Sequence, residues 1–280
     1  MNSIPVLLTA DPEPADILGG LYGEGSIACK AAFTREWVTQ LRRDIDVLFE
    51  EARGQPGGAL NRGPNRFYVE VHPERITGFL DLITHSWVIA VCTNVLGPDY
   101  RIVEAGFDVP GPGAMTQPWH RDFAMPEATV KTRRINSLAF NLTTVDVTQE
   151  MGPLEIAPGT QWDDFGNSGD VAGMFPPKEW YPRYEARAQR KLPQMGDISA
   201  RSALTVHRGT ANQSSQSRPV FVLGVDAPDG TNAERHDLQV TRAFWNTLPV
   251  TLRSHLTCRV VEVLEPIVQA HTIEGLTMGA

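Results

Sequence analysis

The run Arg101-Ile-Val-Glu-Ala-Gly-Phe-Asp-Val-Pro-Gly-Pro-Gly-Ala-Met-Thr-Gln117-Pro-Trp119-His120-Arg121-Asp122-Phe123 decides how this chain is read. Its apolar content, broken by Pro-Gly-Pro-Gly, predicts a strand, a turn and a second strand. Side chains at i and i+2 of a strand share a face, so His120 and Asp122 aim inward while Arg121 points away. A second histidine, His207, follows a strand-like run over residues 198–206 and is likewise presented from a sheet. Two histidines and a carboxylate are the donors by which non-haem Fe(II) sites hold a metal on one face, leaving positions for a cosubstrate and O2. Arg218, between Ser217 and Pro219, opens the apolar strand 220–225 and suits the carboxylate of an organic acid. A His-x-Asp pair alone carries little weight. The combination, on rigid sheet supports, carries more.

Composition bounds the rest. With 280 residues, 41% of them hydrophobic, the chain can bury a full core, and a β barrel of this length is commonly one domain. We therefore expect residues 1–280 to form a single unit. A net charge of −8 without any Lys/Arg run argues against nucleic acid or an anionic membrane as partner. Cys29, Cys92 and Cys258 are widely spaced, with no Cys-x-x-Cys. That pattern predicts neither disulfides nor structural zinc, and a reducing, cytoplasmic setting. Residues 1–10 lack the positive region of a signal peptide, and no apolar stretch reaches membrane-spanning length.

Around this centre the chain predicts helices over about 34–97. Thr34 suits an N-cap for a helix to about Ala52, with Trp37, Leu41, Ile45, Leu48 and Phe49 at helical spacing. A second helical region runs from Thr77 to Leu96, with Leu80, Ile83, Trp87, Ile89 and Val91 apolar. Residues 53–66 read as a Gly/Pro-rich loop too polar to pack, and residues 135–147 as a central strand.

Four segments carry a family resemblance. They are Gln117-x-x-His120-x-Asp122, the turn Met151-Gly-Pro-Leu-Glu-Ile-Ala-Pro-Gly-Thr160, Gly196-Asp197 before the distal strand, and His207 through Arg218. Together they resemble the phytanoyl-CoA dioxygenase family of Fe(II)/2-oxoglutarate oxygenases over about residues 100–226. The resemblance implies a mainly β fold with flanking helices and a double-stranded β-helix (jelly roll, cupin-like) core. It also implies iron on His120, Asp122 and His207, and 2-oxoglutarate on Arg218 with Gln117 beside it. One departure is that Thr160 is followed by Gln161-Trp162, where the family's turn often ends in Ser-His. Related halogenases replace the carboxylate with a small residue, so Asp122 points to oxygenation.

Residues 161–190 interleave Trp162, Phe165, Phe175, Trp180, Tyr181 and Tyr184 with Gly, Pro and charges. So long a connection reads as a lid or as a plug for the barrel's end. The substrate wall is expected from Phe67 and Tyr68, from Trp119 and Phe123 beside the ligands, and from Trp162. His72, His85, His236, His255 and His271 have no carboxylate at useful spacing and are expected on the surface or in the core. Family substrates include acyl-CoA thioesters, amino acids and natural products. A CoA thioester would need a cationic cluster, for which Arg62 and Arg66, or Lys131, Arg133 and Arg134, are available. Aromatic-rich loops favour a medium-sized natural product as substrate. Hydroxylation is the default outcome, desaturation, epimerisation or ring formation being open to the same iron centre, and the protein is expected as a monomer or homodimer. Two other readings stand beside this one: a cupin-like hydrolase or isomerase, and a non-catalytic ligand-binding barrel.

Overall fold

The computed structural model describes residues 6–123, 125, 127–165 and 173–268. In chain order the strands are β1 (Val6–Leu8), β2 (Ser26–Cys29), β3 (Leu60–Asn61), β4 (Arg66–Glu70), β5 (Arg101–Pro110), β6 (Ser137–Thr143), β7 (Leu154–Ile156), β8 (Gln189–Arg190), β9 (Ile198–Ser202), β10 (His207–Gly209), β11 (Val220–Asp226), β12 (Gln239–Thr241) and β13 (Arg259–Val261). An eight-stranded mixed sheet runs β1-β2-β9-β6-β11-β5-β4-β3 and a three-stranded sheet runs β10-β7-β8. All pairs in the large sheet are antiparallel except β1 with β2.

Alternation along β6 shows what each face of the large sheet does. Leu138, Phe140 and Leu142 belong to the main hydrophobic core, whereas Ala139, Asn141 and Thr143 line a cavity. Helices α1 (Pro14–Gly23), α2 (Arg35–Arg53), α3 (Phe79–Ile83) and α4 (Ser86–Leu96) bury their apolar residues in that same core. Thr34 caps α2, its hydroxyl accepting from Trp37 N at 3.2 Å. Val38, Leu41, Ile45, Leu48 and Ala52 form the buried stripe of α2. Each fully buried aliphatic side chain contributes about 1.5–3 kcal/mol before entropy is charged against it. Trp37 and Phe49 flank the stripe, half-buried.

Several expectations need correction. The region 77–96 is two helices, because His85 takes an extended backbone and its Nδ1 accepts from Trp87 N at 3.2 Å, capping α4. Ile89 faces solvent. The second strand after Pro110 does not form a ladder. Pro110, Pro112 and Pro118 supply no N–H, and this segment meets β10 through Gln117 N to Gly209 O at 2.8 Å and one isolated bridge, His120 with His207, and not through a continuous ladder. The run 198–206 is not one strand: β9 ends at Ser202, a turn with Thr205 N donating to Ser202 O follows, and the chain crosses to the small sheet. Residues 53–66 are not merely solvated, since the stretch includes β3 and ends at Arg66, which is 1% exposed. The parallel pair β12–β13 was not anticipated from the sequence. Among the described residues no helix is long and apolar enough to cross a membrane.

Candidate metal centre

His120 and His207 meet across an isolated bridge, with His120 N donating to His207 O at 3.0 Å and the return bond at 2.8 Å. Asp122, two residues on, is held by its N–H to Ala203 O. One ligand atom from each of the three residues can be chosen so that all lie within 4.8 Å of one another. His207 Nε2 is 3.5 Å from Asp122 Oδ1. Each imidazole donates from Nδ1 to a nearby carbonyl, His120 to Pro118 O and His207 to Thr205 O, both at 2.9 Å. Those bonds fix the tautomer and leave each Nε2 lone pair aimed at the shared point, as in metal sites generally.

Electrostatics suit the same purpose. Burial pushes His120 down to about 4 and lowers His207 as well, so both rings are neutral and able to ligate. Burial alone would raise Asp122, but the Arg201 guanidinium, then His207 and His120, hold its carboxyl well below the usual range. Arg201 contacts both carboxylate oxygens, at 2.5 and 3.1 Å. The donor chemistry fits a divalent iron ion.

The cavity that opens from these residues is also lined by Gln117, Phe123, Tyr68, Leu154 and Arg218. Arg218 is buried; its Nε donates to Gly152 O at 3.1 Å and to Met151 O at 3.3 Å, which aims the rest of the fork inward. Gln117 Oε1 accepts from Gly209 N at 2.9 Å. A Cβ at Gly209 would fall 2.6 Å from Arg66 and 2.8 Å from Gln117, so glycine there makes room for both side chains.

Three expected substrate residues do not line this cavity. Phe67 alternates with Tyr68 on β4 and packs its ring 5.5 Å from Phe49 of α2. Trp119, next to His120, faces the other way: it is fully buried with Tyr184 and Val206, under the Arg208 guanidinium. Trp162 donates to Tyr22 O and packs on the Tyr22 ring. Within residues 161–190, Phe165 and Tyr184 join Trp119 in a packed cluster with Trp180 and Tyr181 against it. Phe175 alone approaches the site, with its ring 6.1 Å from His120. Residues 166–172 lie outside the described residues, as does His271. Arg121 does point away, but into protein, donating to Gly173 O and stacking over Phe165.

The sequence reading passed over Lys191, Arg201, Glu70, Glu104 and Asp108, all of which line the cavity, as does Arg66, which it had considered only for the phosphates of a CoA thioester. Arg66 pairs with Asp108 at 3.0 Å. His236, expected on the surface or in the core, also lines the cavity and is 2.7 Å from Glu70. His72, His85 and His255 are tied to backbone groups. The available signal was the polar half of each alternating strand, such as Ser199 and Arg201 between Ile198, Ala200 and Ser202 on β9.

No curated protein matches the sequence. Among solved structures, the fold resembles the non-haem α-ketoglutarate-dependent carbocyclase SnoK from nogalamycin biosynthesis, at 18% identity and a TM-score of 0.59, covering 75% of this chain and 82% of that one. The family model for phytanoyl-CoA dioxygenase matches residues 22–220, from α1 past both histidines to the start of β11. The chain therefore belongs to the phytanoyl-CoA dioxygenase family and is an iron- and 2-oxoglutarate-dependent oxygenase.

Proposed function

We propose that His120, Asp122 and His207 hold the iron, and that Arg218 anchors the distal carboxylate of 2-oxoglutarate with Gln117 alongside. The reaction we assign is hydroxylation of an unactivated C–H bond in a small natural-product-like molecule, with release of succinate and CO2. The observation that carries this reading is the convergence of three ligand atoms within 4.8 Å at the wall of a cavity that Arg218 also enters. We read the two sheets as the halves of a double-stranded β-helix within a single domain.

When bound, iron with 2-oxoglutarate and O2 supplies the oxidising power; the chain supplies geometry and a dry site. The carbonyls of Pro118 and Thr205 orient the two imidazoles. Arg201 holds Asp122 ionised and turned toward the histidines. The Arg218 fork presents paired N–H donors that match a carboxylate in two places, fixing orientation as well as energy. Val103, Leu154, Val220 and Val222 keep water from the reacting bond, while Tyr68, Arg62 and Phe123 offer a mixed surface to the substrate. Phosphate-rich CoA fits less well. Arg134 pairs with Asp229, Lys131 with Glu127 and Arg66 with Asp108, so three of the five cations in the two candidate clusters are already neutralised by a carboxylate.

The test is succinate release from 2-oxoglutarate by the iron-loaded protein across a panel of small natural products, with product mass read alongside. Coupled succinate and a gain of one oxygen support the assignment. His207→Ala should abolish the succinate, and Arg218→Leu should raise the 2-oxoglutarate requirement about tenfold or more. Turnover indifferent to 2-oxoglutarate would overturn it.

A further inference from the structure

Within the cavity stands a buried cation for which the reaction above has no use. Lys191 follows β8, and its N–H donates to Leu154 O at 2.8 Å, which continues the small sheet by one residue. The side chain enters the cavity and is 6% exposed. Its Nζ donates to Ser199 Oγ at 2.9 Å and lies 3.5 Å from Ser26 Oγ. Among the described residues no carboxylate pairs with it, although two other cations of this cavity each have one, Arg66 with Asp108 and Arg201 with Asp122.

Leaving an ammonium buried among hydroxyls is unfavourable unless an anion arrives to meet it. Burial, and then the neighbouring Arg201, lower the Lys191 amine to about 7, so the charged form is poised and not locked. Asn141 stands opposite Ser199 in the β6–β9 register and also lines the cavity. Its amide oxygen is buried without a hydrogen-bond partner in the structure. A lysine ammonium and a serine hydroxyl therefore share one wall of the same cavity as the His-Asp-His group, beside an amide whose orphaned oxygen is an acceptor and does not itself receive an anion.

We propose that Lys191, with Ser199, forms a second carboxylate-binding subsite in this cavity, separate from Arg218. This rests on the reading that iron and 2-oxoglutarate occupy the cavity. The carboxylate has two possible sources: the cosubstrate itself, or an acidic substrate that lies beside it. In either case the ammonium donates to the carboxylate, and the amine takes up a proton at mildly alkaline pH as the anion binds.

Lys191→Met keeps the apolar stem and removes the charge, while Lys191→Arg keeps the charge. Succinate and hexanoate are titrated into metal-free protein by calorimetry at pH 8 in two buffers of different ionisation heat. Under argon, Fe(II)-loaded protein is titrated with 2-oxoglutarate, followed through its visible charge-transfer band, and then with hexanoate. The subsite predicts an affinity loss of about tenfold or more for at least one probe in Lys191→Met, near-parental binding in Lys191→Arg, and proton uptake only where the amine is present. A loss for succinate and 2-oxoglutarate identifies the cosubstrate as the source; a loss for hexanoate alone identifies the substrate. If every probe keeps its parental affinity, to within about twofold, in Lys191→Met, the proposal is overturned. Should that variant not fold, Lys191→Gln takes its place with the same thresholds. No charge-transfer band in the parent would sink the iron reading, and the metal-free arm would still decide the fate of Lys191.

Discussion

Gly152 couples the stability of this fold to its cosubstrate site, and replacing it with alanine should damage both. The residue adopts a left-handed backbone at φ 70° and ψ 55°. A Cβ there would lie 2.6 Å from Thr210 O and 2.9 Å from both Ala211 C and Asn212 N. All three neighbours are backbone, so none can rotate aside. The left-handed conformation costs an alanine about 1 kcal/mol or more, and overpacking adds about 1–3 kcal/mol. The sum, about 3 kcal/mol, corresponds to a melting temperature lower by roughly 10 °C for a chain of this size. The Gly152 carbonyl also accepts from Arg218 Nε. A hydrogen bond to a charged group is worth about 1.5–3 kcal/mol, so shifting that carbonyl should weaken 2-oxoglutarate binding roughly tenfold. Urea unfolding and an anaerobic cosubstrate titration read the two effects. Gly159 is the control: its φ is 75°, but a Cβ there would meet nothing closer than 3.6 Å. Gly159→Ala should cost only about 1 kcal/mol and leave 2-oxoglutarate affinity alone. A Gly152→Ala protein within about 0.5 kcal/mol of the parent, with unchanged affinity, would refute the reasoning.

Other perturbations have equally definite outcomes. Thr34→Ala removes the hydroxyl that accepts from Trp37 N and should lower unfolding free energy by about 1 kcal/mol in urea, with iron binding intact. Arg201→Met takes away both contacts to Asp122 and should weaken Fe(II) binding about tenfold by calorimetry; unchanged affinity would show that Asp122 needs no such support. Burial alone would lower His236, but Glu104 and Glu70 prevail and raise it above its ordinary 6.5. Its stabilising contribution is therefore complete below the unfolded value and disappears as pH rises through the raised folded value. The melting-temperature gap between the parent and His236→Gln should accordingly narrow as pH climbs above about 6.5, and a gap that widens would reverse the sign.

What the sequence disclosed follows from where local rules decide structure. The α2 helix was legible because a threonine cap and a buried stripe agree, and His120, Asp122, His207 and Arg218 were legible because donor type and spacing are chemically specific. The rest depended on tertiary pairing. Nothing local says that residues 111–119 cross to β10 without forming a ladder, or that the chain changes sheets between Ser202 and His207. Aromatic content suggested a substrate wall, but Trp119 and Trp162 went to packing, since each found a better partner behind the site. Lys191 and Arg201 were missed because a charged residue on a strand reads as solvent-facing, whereas here the polar face of the large sheet is the interior of the cavity.

The most direct measurement is an anaerobic titration of the Fe(II)-loaded protein with 2-oxoglutarate, followed through the weak visible charge-transfer band of the chelate. The account predicts a saturable band in the parent protein, its loss in Asp122→Ala, and a markedly weaker midpoint in Arg218→Leu. A protein that binds iron at His120, Asp122 and His207 but shows no band at saturating 2-oxoglutarate would contradict it.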